Sequence, residues 1–347
     1  MKLVLAICTY RRPQGLARLL EHLPALRLQD GARPALDVVV VDNHADGEGL
    51  AVCRALPASY PYAVHARASD GVGISAARNA ACAAALELEP DLIAFLDDDE
   101  WPSPQWLAEL LRVQREHDAD AVGGPTRSVF PDGANPALAD VPYYGADMYL
   151  ADGARCTLQA GGNFLVRASA LAALAPAYFH DEFAHSGSED LAFFIQLAQR
   201  GARMHWAPAA LVHEDVPPER LTPEWLRLRV VNAANGRVRA AQMLEPGPLP
   251  SIVRVTKTVG LLIVARVVGL IARVVPSLAM RADLMRWRGQ GKWRAHRGDH
   301  TVRSEASSVP AAADTSSDGT PRDATGASAF AATPDPASPG ATHGETA

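Results

Sequence analysis

The chain has 347 residues, of which 48% are hydrophobic and 21% charged, so it can bury one large core and still carry an appendage of different character. Its four cysteines show no CxxC spacing, which argues against a structural zinc site and indicates a reducing, cytosolic compartment. Residues 251–300 hold ten Lys and Arg against Asp283 and Asp299, a net charge of +8 in a chain of −6, which indicates an anionic membrane surface as partner and excludes nucleic acid.

Three short apolar runs organise the first hundred residues, and each ends in polar residues. They are Leu3–Cys8 before Thr9, Val38–Val41 before Asp42, and Leu92–Leu96 before Asp97. Continuous aliphatic runs of this length are typical of strands buried on both faces, as in a parallel sheet covered by helices. Because open α/β sheets bind ligands beyond the carboxyl ends of such strands, the polar residues are predicted to meet at one site.

Helical patterns fill the gaps between these runs. They cover Gly15–Leu23, Ser75–Leu88, a segment capped by Ser103, and Ser188–Arg200 with Gly201 as a stop signal. The alternation predicts an α/β fold with a mostly parallel central sheet flanked by helices. The stretch 130–152, rich in Pro, Gly and Asp, is predicted to be a long loop of the kind that shapes an acceptor site.

The character of the chain changes after about residue 245. Thr258–Val275 is strongly apolar but carries Arg266 and Arg273 on one helical face, which favours a helix lying in a membrane interface over one that spans it. Trp287 and Trp293 are predicted to lie at the level of the lipid headgroups. We therefore expect a catalytic domain at 1–245, a membrane-associating segment at 246–300 and a disordered tail at 301–347.

Asp97-Asp98-Asp99 is the most informative segment for chemistry. It places adjacent carboxylates at a strand end, where a divalent cation would offset their repulsion. Mg²⁺ and Mn²⁺ take oxygen ligands of this kind and can stabilise a departing diphosphate. The alternative is an acidic turn in which these residues and Glu100 favour the start of the next helix.

A second carboxylate pair, Glu189-Asp190, lies at the start of a predicted helix. Asp190 could act as a general base toward an incoming hydroxyl. Alternatively, Ser188 caps the helix and the two acids stabilise its first turn. His213 follows another short apolar run and is either a metal contact or a structural histidine.

Gly161-Gly162-Asn163 permits close approach of the backbone to a ligand, or forms a turn. Arg78, the lone cation of an Ala-rich helix, is either a nucleotide contact or a surface charge. The segment Gly71–Ala76 fits GxGxxA, the pattern of a dinucleotide-dependent oxidoreductase, with Asp91 about twenty residues on. However, Asp91 precedes a predicted strand instead of ending one, so this match is weak.

Taken together, the ordered motifs resemble the family 2 glycosyltransferases with the GT-A fold, and within them the succinoglycan-type exopolysaccharide glucosyltransferases. The resemblance covers about residues 1–240 and rests on Ile7–Arg12, Val41–Asn43, Gly73–Asn79, Phe95–Trp101, Gly161–Val166 and Ser188–Phe194. The QxxRW signature of processive synthases is absent, which implies transfer of a single sugar.

The resemblance implies a role for each matching residue. Thr9, Tyr10 and Arg11 would line the nucleotide pocket, Asp42 would bind uracil or ribose, and Arg78 the base or a phosphate. Asp97 and Asp98 would lie on the donor side, Asp99 would bind Mg²⁺ or Mn²⁺, and His213 would be a further metal contact. Asp190 would be the base, and the diphosphate or acceptor side would comprise Gly161, Gly162, Asn163 and Glu189.

These roles imply an inverting hexosyltransferase that uses a nucleotide-sugar donor, UDP-glucose or a relative, and a lipid-linked or saccharide acceptor. It would be peripheral on the cytosolic face of the membrane. Two alternatives remain at this point: the oxidoreductase, and a non-catalytic, membrane-docked sugar-binding protein.

Overall fold

The computed structural model describes residues 1–135, 138, 141, 143–144, 150–184 and 187–299. A seven-stranded sheet has the order β3-β2-β1-β4-β8-β6-β9. Its strands are β1 Leu3–Thr9, β2 Asp37–Asp42, β3 Ala63–Ala68, β4 Leu92–Asp97, β6 Ala121–Gly123, β8 Asn163–Arg167 and β9 Met204–Trp206. Only β8 runs antiparallel to its neighbours in this sheet, so the predicted α/β class with a mostly parallel sheet is confirmed.

Helices cover both faces of this sheet. In chain order they are α1 Pro13–His22, α2 Glu48–Arg54, α3 Ile74–Leu86, α4 Trp106–Glu116, α5 Ala168–Ala172 and α6 Glu189–Gln199. Leu5 and Ile7 pack on the side of α1 and α4, whereas Val4 and Ala6 pack on the side of α3 and α6. Successive strand residues point to opposite faces, so a strand buried on both sides needs a continuous apolar run.

The predicted meeting of strand ends is confirmed by the register. Cys8 lies opposite Asp97 on one side of β1, and Thr9 lies opposite Asp42 on the other. The carboxyl ends of β2, β1 and β4 therefore form one continuous edge, which we call the donor edge.

A second sheet of three short strands, in the order β5-β10-β7, was not predicted. It consists of β5 Glu100–Pro102, β7 Thr126–Val129 and β10 Val212–Asp215. β5 follows the aspartate triplet directly, so this sheet adds a polar wall beside the donor edge.

Three predicted helix signals have different outcomes. Ser103 is not a side-chain cap: α4 begins at Trp106, whose backbone N–H donates to the carbonyl of Ser103 over 3.0 Å. Ser188 also lacks a capping side-chain bond and has a φ of +76°. Gly201 does follow the end of α6, with a φ of +82°, as a C-terminal stop glycine requires.

Three long helices complete the described fold: α7 Pro223–Leu244, α8 Pro248–Ile271 and α9 Ala279–His296. They belong to the same compact unit as the sheet. α9 packs between α7 and α8 through two glycines, since a Cβ at Gly291 would lie 3.0 Å from the Cβ of Ala234 on α7 and one at Gly289 would meet Leu262 on α8. Within the described ranges, none of the helices has the length and apolar character needed to cross a membrane.

The headgroup position predicted for Trp287 is corrected by this packing. Trp287 is buried, at 7% exposure, in a cluster with Leu226, Val230 and Val231 of α7, whereas Trp293 is 41% exposed. The predicted disordered tail, 301–347, and part of the predicted loop, 130–152, lie outside the described residues.

Candidate active site

The three aspartates at the end of β4 point in different directions. Asp98 is buried and accepts hydrogen bonds from Thr9 Oγ1 at 2.8 Å and from Arg12 Nη1 at 3.0 Å. The side chains of Asp97 and Asp99 are 39% and 26% exposed. The first and third carboxylates are therefore open to a ligand, and the middle one fastens the β4 end to the β1 end.

Two arginines that the sequence analysis did not single out hold Asp99. Arg12 Nη1 lies 2.8 Å from Asp99 Oδ2, and Arg220 Nη2 lies 3.6 Å from the same oxygen. Arg220 comes from a short 3₁₀ turn, Pro218–Leu221, more than a hundred residues further along the chain. Its carbonyl accepts a 2.6 Å hydrogen bond from the Tyr144 hydroxyl, which fixes the turn beside the site.

Arg78 is a buried junction and not a surface charge. It is 5% exposed; its Nη2 donates to Asp97 Oδ1 over 3.0 Å and its Nη1 donates to the carbonyl of Gly161 over 3.2 Å. Its Nε lies 3.8 Å from Glu189. Most of the Arg78 guanidinium already binds protein oxygens, so a nucleotide would contact only the edge of the guanidinium that these oxygens leave open.

Asp190 is tied to the same junction. The backbone N–H of Gly161 donates to Asp190 Oδ2 over 3.2 Å, and that of Leu191 donates to Oδ1 over 2.7 Å. Gly161 thus joins Asp190 through its N–H and Arg78 through its carbonyl. The candidate base and the candidate donor carboxylate Asp97 are therefore positioned by one shared set of hydrogen bonds.

Gly162 lies close to two carboxylates. A Cβ at this position would lie 2.7 Å from Glu100 Oε1 and 2.9 Å from Asp97 Oδ2. Asn163, by contrast, faces the core: it accepts a 2.7 Å hydrogen bond from Trp106 Nε1 and donates to the carbonyls of Pro125 and Ala210. Its full set of protein partners makes Asn163 a positioning residue for the glycines.

Asp42 shapes the loop after β2. It is 1% exposed, and its carboxylate accepts from the backbone N–H groups of Gly49 at 2.8 Å and His44 at 3.0 Å. Its oxygens are therefore directed at protein amides and not outward to a base or ribose. Nearby, Tyr10 is 47% exposed and packs edge-on against His44, while Arg11 Nε donates to His44 Nε2 over 2.8 Å.

Glu100 and Glu214 form an acidic pair that the sequence analysis did not predict as part of the site. They lie opposite each other on β5 and β10. Thr126 Oγ1 donates to Glu100 over 3.0 Å, and Arg220 Nη1 lies 2.5 Å from Glu214. Burial raises the pKa of Glu100 well above its ordinary value, and the charge of Asp97 adds to the effect. Burial and Asp99 also raise the pKa of Glu214.

The structure does not bring His213 to the aspartates. His213 lies opposite Trp101 and stacks on its indole with ring centroids 5.6 Å apart. Adjacent residues of a strand face opposite ways, so His213 points away from the face on which Glu214 and Asp99 share Arg220. Glu214, the next residue, is the one that shares Arg220 with Asp99, and burial lowers the pKa of His213.

Burial disfavours the charged form of two carboxylates at the donor edge. Burial raises the pKa of Asp98 to about 7, and burial together with Asp99 and Asp190 raises that of Asp97 against the opposing effect of Arg78. Within the part of the chain that the structure describes, no three His, Cys, Asp or Glu side chains form a ready metal cluster. Mg²⁺ is, however, commonly bound by one or two carboxylates and completed by substrate phosphates, so the partly exposed carboxylate of Asp99 fits such a cation.

The Gly71–Ala76 loop lacks the setting of a dinucleotide site. It joins β3 to α3, and the carbonyl of Gly73 accepts a 3.0 Å hydrogen bond from Asn43 Nδ2. Asp91, the acid at the right spacing, precedes β4 and accepts from the backbone N–H of Lys2 over 2.6 Å. It therefore lies at the amino edge of the sheet, opposite the donor edge.

Comparison with known proteins agrees with this geometry. The profile of Glycosyl transferase family 2 matches residues 4–174, and that of Glycosyl transferase family group 2 matches residues 92–263. The succinoglycan biosynthesis protein ExoM of Rhizobium meliloti (strain 1021) is 34% identical over 227 residues, which cover 65% of this chain and 70% of that protein. The chain belongs to glycosyltransferase family 2. It is accordingly a sugar-transferring enzyme, and the oxidoreductase and non-catalytic alternatives are set aside.

Among solved structures, the first named here supports the GT-A fold, and the second is reported as a further similarity. The mannosyltransferase PcManGT from Pyrobaculum calidifontis, in complex with GDP-Man and Mn²⁺, is 18% identical with a TM-score of 0.58, over 85% of this chain and 86% of that one. The S. aureus protein TarS 1–349, in complex with UDP, is 18% identical with a TM-score of 0.48, over 85% and 91%.

Proposed function

We propose that this glycosyltransferase is an inverting, metal-dependent enzyme that transfers one hexose from a UDP-sugar, UDP-glucose first among the donors, to a lipid-linked or saccharide acceptor. The observation that carries the proposal is the chain of hydrogen bonds through Arg78 and Gly161. It links the candidate base Asp190 to the donor-side carboxylate Asp97 and so holds the two side chains at a fixed separation. The relative named for succinoglycan biosynthesis supports a role in exopolysaccharide synthesis.

Donor binding is assigned to the donor edge. Thr9, Tyr10 and Arg11 would line the nucleotide pocket, which Asp42 shapes through the loop after β2. Asp97 would face the ribose side, and Asp99 would hold Mg²⁺ or Mn²⁺. When bound, such a cation supplies positive charge to the leaving diphosphate. Arg12 and Arg220 lie beside Asp99, so their positive charges would also act on a diphosphate bound there.

The chemical step is a direct displacement. Asp190 takes the proton from an acceptor hydroxyl while that oxygen forms a bond to the anomeric carbon and the bond to the nucleotide diphosphate breaks. Attack from the face opposite the leaving group inverts the configuration of that carbon. The two backbone N–H groups on the Asp190 carboxylate hold its position during proton transfer, and no enzyme nucleophile is needed.

The acceptor is assigned to the side lined by Gly161, Gly162 and Glu189, next to Asp190. The basic segment 246–300 would place the enzyme on the cytosolic face of the membrane, where a lipid-linked acceptor is available.

Metal-dependent nucleotide binding tests the donor site. We expect the wild-type protein to bind UDP in the presence of Mn²⁺ and to lose that dependence on the metal in Asp99→Asn, measured by isothermal titration calorimetry. Asp132→Asn, an exposed aspartate outside the site, is the matched control and should bind as the wild type does. Metal-dependent UDP binding that survives in Asp99→Asn would refute the metal assignment, and NAD binding without UDP binding would refute the donor class.

The donor sugar is tested by screening. Metal-dependent hydrolysis of a set of nucleotide sugars should be fastest for UDP-hexoses, and preference for a GDP-sugar would overturn the uridine assignment.

A further inference from the structure

The outermost of the three C-terminal helices has a face that nothing in the described structure covers. α7 packs on α6, α9 packs on α7, and α8 packs on α9. Thr258 and Ala265 point inward from α8 and are 1% and 6% exposed. The opposite side of α8 faces solvent along its length, which is about 36 Å for a helix of 24 residues.

This outer face is apolar. It consists of Ile252, Val259, Ile263, Val267 and Leu270, which are 62%, 40%, 58%, 50% and 58% exposed. They follow one another at intervals of seven, four, four and three residues, so they form a single stripe along the helix. Val253, Val264 and Ile271 widen the stripe on one side, at 43%, 46% and 47% exposure. A continuous apolar surface of this extent marks an interaction site.

Cations border the stripe. At 100° per residue, Arg266 lies along one edge and Lys257 along the other, and Arg273 follows just after the end of the helix; all three are exposed. Within α8 there is no Asp or Glu. An apolar stripe between cations is complementary to a bilayer with anionic headgroups, where the apolar side chains enter the acyl boundary and the cations meet phosphate.

A second copy of the chain fits the same face less well. Two α8 helices brought together would place Arg266, Arg273 and Lys257 of one copy close to the same cations of the other, with no carboxylate on the helix to offset them. The distribution of charge along the chain also favours a lipid surface over a second copy. Residues 1–250 carry a net charge of −10 and are repelled from an anionic surface, whereas residues 251–300 are attracted to it.

We propose that the outer face of α8 is the membrane-docking surface of this enzyme, lying flat in the interface of an anionic bilayer, and that α9 serves as the spacer between it and α7. The inference rests on the membrane association proposed above and assigns it to specific side chains. Trp287 makes no direct contact with lipid in this arrangement, because its side chain is buried between α9 and α7.

The test is vesicle binding by the full chain. Flotation or surface plasmon resonance would compare vesicles of phosphatidylcholine with vesicles that contain one third phosphatidylglycerol. We expect Ile263→Glu with Val267→Glu to weaken binding to the anionic vesicles at least ten-fold, because apolar contact is replaced by negative charge. Ile263→Leu with Val267→Leu is the matched control, since it keeps the same positions apolar, and it should bind as the wild type does. Far-UV circular dichroism checks that each variant folds.

A second experiment tests the cations that border the apolar stripe. Arg266→Gln and Arg273→Gln should each weaken binding to the anionic vesicles about five-fold and leave binding to phosphatidylcholine unchanged. Raising the salt concentration should reduce wild-type binding in the same direction.

Three outcomes would overturn the proposal, and they are distinguishable. Wild-type protein that binds neither vesicle refutes membrane association altogether. Equal anionic binding by the wild type and the glutamate variant refutes this face alone. A wild-type dimer in analytical ultracentrifugation that becomes monomeric in the glutamate variant shows that a second copy covers the face. UDP binding by the same variants tests the catalytic assignment separately, because α8 packs mainly on α9 and carries none of the residues assigned to the donor site.

Discussion

The donor edge and the C-terminal helices differ in which groups they bury and which they expose. At the donor edge, charged groups are buried: Arg78, Asp98 and Glu100 are 5%, 5% and 6% exposed. On α8, apolar groups are exposed, with Ile263 at 58%. Both arrangements are costly in isolation, since buried charge loses hydration and exposed apolar surface orders water. We proposed above that a cation-bearing nucleotide completes the first region and a bilayer the second, and each partner would offset the cost of its region.

The two regions also differ in how tightly their parts are held. Arg78, Gly161, Asp190 and Asp97 are joined by directional hydrogen bonds, so small displacements matter. α8 meets the rest of the chain mainly through α9, and its outer face has no packing partner among the described residues. Substitutions should consequently affect catalysis in the first region and stability or lipid binding in the second.

The largest effect is expected for Asp190→Asn. An asparagine has the same shape and accepts one of the two backbone hydrogen bonds, from Gly161 or from Leu191, through its single amide oxygen, so the side chain stays close to its place while the base is lost. We expect kcat to fall about 10²- to 10⁴-fold with UDP binding unchanged, measured by sugar transfer to acceptor and by calorimetry. Asp181→Asn, an exposed aspartate on a nearby 3₁₀ turn, is the control. Undiminished transfer by Asp190→Asn would assign the base to another residue.

Two tryptophans of α9 compare a core position with a surface position on one helix. Trp287→Ala should lower the free energy of unfolding by about 3–5 kcal/mol, because it leaves a cavity between α9 and α7. Trp293→Ala, at a position 41% exposed, should cost under about 1 kcal/mol. Urea unfolding followed by circular dichroism measures both. Equal losses would mean that Trp287 is not a core residue.

The same substitution, Gly→Ala, should lower activity at the donor edge and raise stability on α8. At Gly161 the new Cβ would lie 2.8 Å from the Cβ of Asp190 and would displace Arg78. We expect kcat to fall about ten- to hundred-fold, since such a shift misplaces the base. At Gly260, on α8, no atom lies within 4 Å of the new Cβ, and alanine should stabilise the protein by up to about 1 kcal/mol. Transfer assays and thermal unfolding distinguish the two.

The smallest effect is a pH dependence of the α8–α9 contact. His296 Nε2 lies 3.1 Å from Thr258 Oγ1, and burial lowers the pKa of His296 below its ordinary value of 6.5, against the opposing effect of a hydrogen bond with the backbone of Arg254. The unfolded chain therefore binds the proton more readily, so stability is present above pH 6.5 and is lost as the pH falls below it. His296→Gln should unfold with less change between about pH 7 and pH 5, as thermal melts would show; an identical pH profile in the variant would contradict this.

Residue patterns predicted the frame of the site well. The three apolar runs became β1, β2 and β4, and their ends met because parallel strands of one sheet share an edge. Such patterns could not predict the contacts that Asp98, Arg12 and Arg220 make. Adjacent aspartates look alike in a sequence, and only packing decides that Asp98 turns inward to Thr9 while Asp99 faces two arginines.

By itself, the sequence determined the α/β alternation, the carboxylate-rich strand end, the helix that begins at Glu189 and stops before Gly201, and the basic, apolar C-terminal segment. These are properties of periodicity and local charge, which a linear chain carries in full. Only the tertiary structure decided that Glu214 and not His213 shares Arg220 with Asp99, that Trp287 is a core residue, and which face of α8 stays open. Those features depend on side-chain direction and on contacts between distant segments, which no local pattern specifies.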